Sequence, residues 1–314
     1  MILNAKATTQ KISFAFFLLL ITHTFAQIDS YRWQYIHNHP FIIHYMDGDR
    51  DSAELVDRYL NSAYSRLCQA FQVTLSQPVD YYLCNSYDSY RKVVGTNVPL
   101  WSTGLALPQQ NTIILKTVAA ENNFLTTAVH ELTHIFIDQL TQGNDIPRWL
   151  NEGLAVYFSN EKDFASSTLI SKALISNSII PLSDIDAVLS FNPSRAQLAY
   201  QESYVAVILL LERHGMESIR QILYLIGQGH GIDKAFSDTI GLDSWDFELQ
   251  WHEYINRKYR WHFLVEFEFY LWIFIILLFI FGFIKIKHKN RLKLKQWEDE
   301  DQFDDSQETH QDDV

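Results

Sequence analysis

Cysteine is scarce in this chain of 314 residues, in which Cys68 and Cys84 are the only two and no C-x-x-C pair occurs. A disulfide-dense scaffold and a cysteine-based metal site are therefore excluded. In an oxidising compartment the two cysteines can form one disulfide; as buried free thiols they would act as small apolar side chains. Basic residues are outnumbered, 25 against 37 acidic ones, and the formal net charge is −12. Because no basic stripe exists outside one short segment, nucleic acid is excluded as a partner.

Long apolar runs are missing from the chain except at its two ends. The N-terminal run covers residues 12–22, follows Lys6 and Lys11, and precedes the small-residue site Thr24-Phe25-Ala26. This run is shorter than the about 20 residues that a helix needs to span a bilayer. Residues 1–26 are therefore predicted to be a secretory signal, with an uncleaved membrane anchor as the alternative.

The C-terminal run covers residues 263–284 and contains no charge between 269 and 284. Tyr270 and Trp272 lie where aromatic belts form, and six lysine or arginine residues follow within 285–295. This pattern predicts one transmembrane helix whose basic end is cytoplasmic. The preceding domain is then extracytoplasmic, on the periplasmic or extracellular side. The tail, 285–314, is first basic and then acidic, and its acidic part is predicted to be solvated and disordered.

Between the two apolar runs, strand patterns come first and helical patterns follow. Apolar residues in short runs predict four strands, over residues Phe41–Tyr45, 79–83, 105–107 and 112–115. Helical spacing predicts helices over 52–71 and Tyr87–Val94, and after residue 121 it continues almost to Tyr259. This order is typical of α+β proteins. We predict a small strand-rich part, residues 27–120, and a helical part, residues 121–262.

The segment His130-Glu131-Leu132-Thr133-His134 has the pattern of a metal-dependent hydrolase. Apolar residues at helical spacing surround it, and Gly143 follows as a stop signal. Residues four apart lie on one face of a helix, so both imidazoles can reach the same ion. Glu131 can accept a proton from a water molecule that the ion activates. We therefore predict that His130 and His134 bind Zn2+ and that Glu131 is the general base.

A catalytic zinc site needs a third protein ligand and one open position. Glu152 is the best candidate, because Pro147 opens a second helix with an apolar face and Glu152 lies in that helix. Two alternatives are an exposed position for Glu152, which fits most glutamates, and Asp138 as the ligand. Asp138 would have to share one helix face with both histidines. Glu152 is therefore predicted to complete the site.

The motifs H-E-L-T-H and W-L-N-E-G-L-A, with 17 residues between His134 and Glu152, resemble those of the gluzincin metallopeptidases. The likeness is greatest to the bacterial peptidase-MA-like domains, relatives of the M1 aminopeptidases, and covers about residues 103–259. It implies a zincin-like α+β fold with Glu152 as the glutamate ligand. In this family a later tyrosine stabilises the tetrahedral intermediate. The resemblance assigns that role to Tyr200, with Tyr204, one helical turn away, as the fallback.

One departure from the M1 pattern concerns specificity. In those enzymes a glycine-rich strand carries a glutamate that binds the free amino group of the substrate, whereas residues 102–108 contain no acidic residue. Cleavage within a chain is therefore favoured over removal of N-terminal residues. The predicted function is a membrane-anchored zinc metallopeptidase that acts on extracytoplasmic proteins or peptides. The alternative is a catalytically inactive zinc-binding domain that serves as a membrane-anchored partner-binding or sensor protein.

Overall fold

The computed structural model describes residues 31–95, 102–117, 124–160, 168–261 and 263–308. The predicted signal, 1–26, lies outside these residues. The chain divides into two compact units, of which the first ends at Arg260 and the second begins at Trp261.

The first unit contains a five-stranded mixed sheet. Its strands are β1 (Gln34–Asn38), β2 (Phe41–Tyr45), β3 (Val79–Cys84), β4 (Gly104–Leu107) and β5 (Thr112–Lys116), in the spatial order β1-β2-β3-β5-β4. The three central strands are parallel, and the outer strands β1 and β4 each pair antiparallel with their neighbours. Strands β4 and β5 form a hairpin through a 3-10 turn, Pro108–Gln110. Strand β4 is therefore an edge of the sheet.

Eight α-helices belong to the described part of the first unit. They are α1 (Arg50–Phe71), α2 (Tyr87–Val94), α3 (Phe124–Thr141), α4 (Arg148–Ser159), α5 (Thr168–Ile175), α6 (Pro193–Gly227), α7 (Ile232–Ile240) and α8 (Ser244–Tyr259). A 3-10 segment, Leu182–Ser190, precedes α6. Helix α6 is interrupted at Gly215, whose φ of 73° lies in the left-handed region that favours glycine. The predicted α+β arrangement, strands first and helices later, is confirmed.

The two faces of the sheet pack against different helices, because successive side chains of a strand point to opposite faces. Tyr81 of β3 belongs to the main core, together with residues of α1, α3, α4 and α6. Cys84, at the end of the same strand, belongs to a second cluster that α2 covers. Cys68 of α1 packs against the main core. The two cysteines thus lie in separate clusters and are both free thiols, so the disulfide considered above does not form.

Strand β1 has no counterpart among the predicted strands. Four of its five residues are exposed, and only Ile36 is half-buried. Its sequence, QYIHN, therefore lacks the apolar alternation that identifies a half-buried strand. It is held in the sheet by its backbone pairing with β2, from Gln34 opposite Tyr45 to Asn38 opposite Phe41.

Helices α4 and α6 are in direct backbone contact at Gly153. A Cβ atom at this position would lie 2.4 Å from the carbonyl oxygen of Ser203, far inside van der Waals contact. Trp149, Leu150 and Leu154 of α4 lie in the main core. Glycine at 153 therefore allows α4 to lie directly on the helix that carries Tyr200.

The second unit consists of one continuous helix in its described part, α9 (Phe263–Glu308). Its segment Tyr270–Leu294, 25 residues with a mean hydropathy of 2.2 in its most apolar stretch, is long and apolar enough to cross a membrane by length and composition. The segment has no side chains buried within the unit. The predicted apolar C-terminal helix is therefore present, whereas the acidic residues up to Glu308, predicted to be disordered, continue the same helix.

Candidate metal centre and active site

Two consecutive helices carry the predicted zinc ligands. Helix α3 is anchored to the sheet by Tyr81, whose hydroxyl donates a hydrogen bond to the carbonyl of Ala128 over 3.2 Å. Gly143, with a φ of 75°, follows its end in the left-handed conformation common at helix C-termini. Helix α4 starts after Pro147, and Asp186 Oδ1 accepts the backbone N–H of Arg148 at 3.0 Å. The chain thus turns back so that α4 packs on α3.

The structure brings His130, His134 and Glu152 together, with their ligand atoms within 4.8 Å of one another. Glu152 Oε2 lies 3.4 Å from Nε2 of His130 and 3.7 Å from Nε2 of His134. For metal–ligand bonds of about 2.0–2.1 Å, the edges of a tetrahedral zinc site measure roughly 3.3 Å. Both distances to Glu152 are therefore close to those in a zinc site, and two imidazoles with one carboxylate are a donor set that suits it.

Asn151 fixes the orientation of the second histidine. Its Oδ1 lies 2.7 Å from Nδ1 of His134 and can only accept, so Nδ1 is the donor and Nε2 keeps its lone pair for a metal. Burial lowers the pKa of His134, Glu152 opposes this shift and His130 adds to it, and the resulting pKa is about 4. His134 is therefore neutral at physiological pH, as a ligand must be.

Arg148 contacts the second oxygen of Glu152, with Nη1 3.1 Å from Oε1. The Glu152 side chain is only 6% exposed. Burial by itself raises the pKa of its carboxyl group, but hydrogen bonding to His130 and nearby positive charge, including that of Arg148, lower this pKa to about 2. Glu152 is thus a buried carboxylate that stays ionised, and its two oxygens have different partners.

Glu131 is buried between α3 and the edge strand β4. A Cβ atom at Gly104 would lie 2.7 Å from Glu131 Oε1 and 2.7 Å from Cγ2 of Thr127. The absence of a side chain at 104 therefore gives the carboxyl group its place beside β4. The predicted base adjoins His130 in sequence and faces the strand along which an extended peptide can pair.

Tyr200 lies beside the histidines, with ring centroids of Tyr200 and His130 6.3 Å apart. The fallback, Tyr204, has different neighbours: burial raises the pKa of its hydroxyl, and Tyr259 and Tyr157 raise it further. Asp138, the rival ligand, is not part of the three-residue cluster. The geometry thus brings Tyr200 to the histidine pair and groups Tyr204 with the tyrosines of α4 and α8.

The profile of the peptidase MA superfamily matches residues 60–257, more than half of the chain. The chain belongs to the peptidase MA superfamily. The predicted likeness to peptidase-MA-like domains is confirmed. The match begins earlier than the predicted boundary near residue 103, and so includes part of α1 and most of the sheet.

Two solved structures similar to this peptidase MA domain are leukotriene A4 hydrolase from Saccharomyces cerevisiae in its native form and the yeast enzyme in complex with bestatin. Both are 14% identical to the chain, with TM-scores of 0.37 and 0.39. The matches cover 63% and 72% of this chain but 33% and 37% of the other. The chain therefore spans about a third of the length of those structures. A search of curated proteins found no match.

Three residues of the peptidase MA domain have no role in the sequence prediction, although the structure places them at the site: Arg148, Asn151 and Gly104. The four-residue spacing of Arg148 and Glu152 is a visible signal, because residues at that spacing are neighbours on a helix. The contact from Asn151 to His134 crosses between two helices. No local pattern in the sequence indicates it.

Glu202, two residues after Tyr200, is a buried acid away from the ligand cluster. Its Oε1 accepts the backbone N–H of Ile180 at 3.2 Å, while Oε2 has no hydrogen-bond partner among the described residues. Burial raises the pKa of Glu202 to about 8, although the Ile180 hydrogen bond and the charge of Arg195 lower it. At neutral pH the carboxyl group is thus mostly protonated in the folded protein.

Glu202→Gln is expected to remove a pH dependence of stability. Because the folded pKa exceeds that of an unfolded glutamate, about 4.3, this group stabilises the fold fully only below the unfolded value. Its contribution to the free energy of unfolding declines as the pH rises towards 8 and is then lost. The total change is about a few kcal/mol. The variant should therefore be more stable than wild type at pH 8 and similar at pH 4.5 in urea unfolding. Parallel curves for the two proteins from pH 4.5 to 8 would contradict this.

Proposed function

We propose that this protein is a zinc metallopeptidase that hydrolyses peptide bonds. The observation that carries the proposal is the cluster of His130, His134 and Glu152, spaced for a tetrahedral ion and built next to Glu131. Membership of the peptidase MA superfamily supports the same chemistry. Three protein ligands leave the fourth coordination position for water, as catalytic zinc sites require.

The chain's own residues have distinct roles in this proposal. Zinc, when bound, supplies Lewis-acid activation of water and polarises the scissile carbonyl group. The Glu131 carboxylate accepts a proton from water and returns it to the nitrogen of the departing amine. The Tyr200 hydroxyl donates a hydrogen bond to the carbonyl oxygen, where negative charge grows in the transition state. Asn151 holds His134 in the tautomer that leaves Nε2 free.

We also propose that the enzyme is anchored in a membrane. Residues 1–26 act as a signal, 27–120 and 121–262 form the exported peptidase, 263–284 span the bilayer, and 285–314 lie in the cytoplasm. The apolar stretch of α9 and the basic residues that follow it support this arrangement. The substrates are then extracytoplasmic proteins or peptides.

Internal cleavage is the proposed mode of action. Strand β4, Gly104–Leu107, is an edge of the sheet beside Glu131, so an extended peptide can add to it through backbone hydrogen bonds. No acidic residue is present within residues 102–108 to bind a free amino group. A substrate can then extend past the site in both directions.

Removal of metal tests this function directly. The full-length protein in detergent, stripped with a chelator, should lose hydrolysis of an unstructured protein substrate and regain it with one equivalent of Zn2+ but not with Mg2+. Mass spectrometry of the products separates internal fragments from stepwise loss of N-terminal residues. Undiminished hydrolysis by the metal-free protein would contradict a zinc mechanism, and stepwise trimming alone would contradict internal cleavage.

A further inference from the structure

The two oxygens of the Glu152 carboxylate face different partners. Oε2 is directed at both histidines, at 3.4 and 3.7 Å, whereas Oε1 is 3.1 Å from Arg148 Nη1. We propose that Arg148 is a positioning residue that makes Glu152 a one-oxygen ligand of the metal ion. This inference rests on the proposed zinc function of the site.

Helical spacing brings Arg148 into contact with Glu152. Arg148 and Glu152 are one turn apart on α4, so their side chains lie on the same face. The start of that helix is held separately, because Asp186 Oδ1 accepts the backbone N–H of Arg148. A substitution of the side chain therefore leaves this backbone contact in place.

Burial of Glu152 increases the energetic importance of its contact with Arg148. A carboxylate oxygen removed from water without a hydrogen-bond partner carries a large desolvation cost. Glu152 is 6% exposed, so its Oε1 depends on a protein donor, and Arg148 supplies a charged one. Without Arg148 the carboxylate gains by rotating to share its second oxygen with the ion or with a histidine.

The positive charge of Arg148 opposes metal binding only weakly. Its side chain is 35% exposed, so solvent screens its longer-range repulsion of a cation. The hydrogen bond to Oε1 acts over contact distance and is shielded by the protein. We therefore expect the orienting effect to outweigh the repulsion.

Because Glu152 supplies only one oxygen, one coordination position of the ion is not filled by this side chain. With Oε1 occupied by Arg148, the carboxylate supplies one donor, and two histidines supply two more. A catalytic site built on three donors keeps a fourth position for water. Loss of Arg148 frees Oε1 to become an additional donor at that position.

The test is a double-mutant cycle on metal affinity, measured on the full-length protein in detergent by competition with a chromophoric chelator for Zn2+. Arg148→Ala should weaken zinc binding by roughly 10- to 100-fold, because in the metal-free protein the freed carboxylate turns towards a histidine and must be reoriented before zinc binds. In the Glu152→Ala background the same substitution should have no further effect, because Arg148 acts through Glu152. Arg148→Lys, which restores one charged donor without the planar fork, should recover part of the loss.

A spectroscopic readout distinguishes orientation from a general effect on folding. With Co2+ in place of Zn2+, tetrahedral coordination absorbs more strongly in the visible than five-fold coordination. Arg148→Ala should lower this absorption as the second carboxylate oxygen joins the ion, and Arg148→Lys should restore it in part. Arg50→Ala is the matched control, since Arg50 makes the same i,i+4 pair with Glu54 on the surface of α1. It should change neither affinity nor spectrum.

Several results would overturn the inference. One is unchanged zinc affinity and an unchanged Co2+ spectrum in Arg148→Ala, while wild type binds zinc. Another is an equal loss of affinity in the Glu152→Ala background, which would mean that Arg148 acts on the fold and not through Glu152. A wild-type protein that takes up no zinc would instead overturn the proposed function, and this inference with it.

Discussion

Glu131→Gln is expected to leave the zinc content of the protein unchanged and to slow peptide hydrolysis by roughly 100- to 10,000-fold. Glutamine keeps the size of the side chain, so it fits the space beside Gly104 without new contacts. It cannot accept a proton from water, so the general-base step is lost. Because the ligand atoms belong to other residues, metal binding has no reason to change.

The measurement pairs metal analysis with initial rates on the same preparation. Glu253→Gln, at an exposed position on α8, is the matched control and should retain the wild-type rate. Hydrolysis by Glu131→Gln at the wild-type rate would exclude Glu131 as the base. Loss of zinc in this variant would show that Glu131 contributes to the metal site.

Glu152→Ala is expected to weaken zinc binding by about 100- to 1,000-fold. Structural zinc sites with four ligands bind with about 10–16 kcal/mol, so one ligand contributes roughly a quarter of this. The substitution also removes the only carboxylate of the cluster, which leaves two neutral imidazoles to hold a dication. Purified variant protein should therefore carry far less than one zinc per chain.

Asp138→Ala is the natural comparison, because Asp138 is the rival ligand and lies on α3 with both histidines. It should bind zinc as tightly as wild type. A competition titration with a chelator gives both affinities on one scale. If Asp138→Ala lost zinc and Glu152→Ala kept it, the ligand assignment would be reversed.

Several elements of the fold could be predicted because their own residues determine them. The strand over Phe41–Tyr45 and the helix after Pro147 both carry strong local signals, a short apolar run in one and a helix start with an apolar face in the other. Strand β1 has no such signal, because only its pairing with β2 makes it a strand. Its place depends on tertiary contacts that a local pattern does not contain.

The residues of the site also divide into those that the local sequence predicts and those that only tertiary contacts bring together. His130 and His134 are four residues apart on one helix, so helical periodicity alone places them on one face. The contacts of Asn151 with His134 and of Gly104 with Glu131 join segments that are distant in sequence or lie on different elements. Cys68 and Cys84 are likewise free thiols because they lie in different core clusters, on opposite sides of the sheet.

The close contact at Gly153 also indicates which helices can separate at the site. Because α4 rests directly on the backbone of α6, Glu152 and Tyr200 sit on one closely packed pair of helices, whereas both histidines sit on α3. An ion held by all three ligands therefore bridges the boundary between α3 and this pair. Any opening of that boundary releases the ion, and a bound ion favours the closed arrangement by mass action. The metal ion of the proposed mechanism would thus also cross-link two parts of the domain.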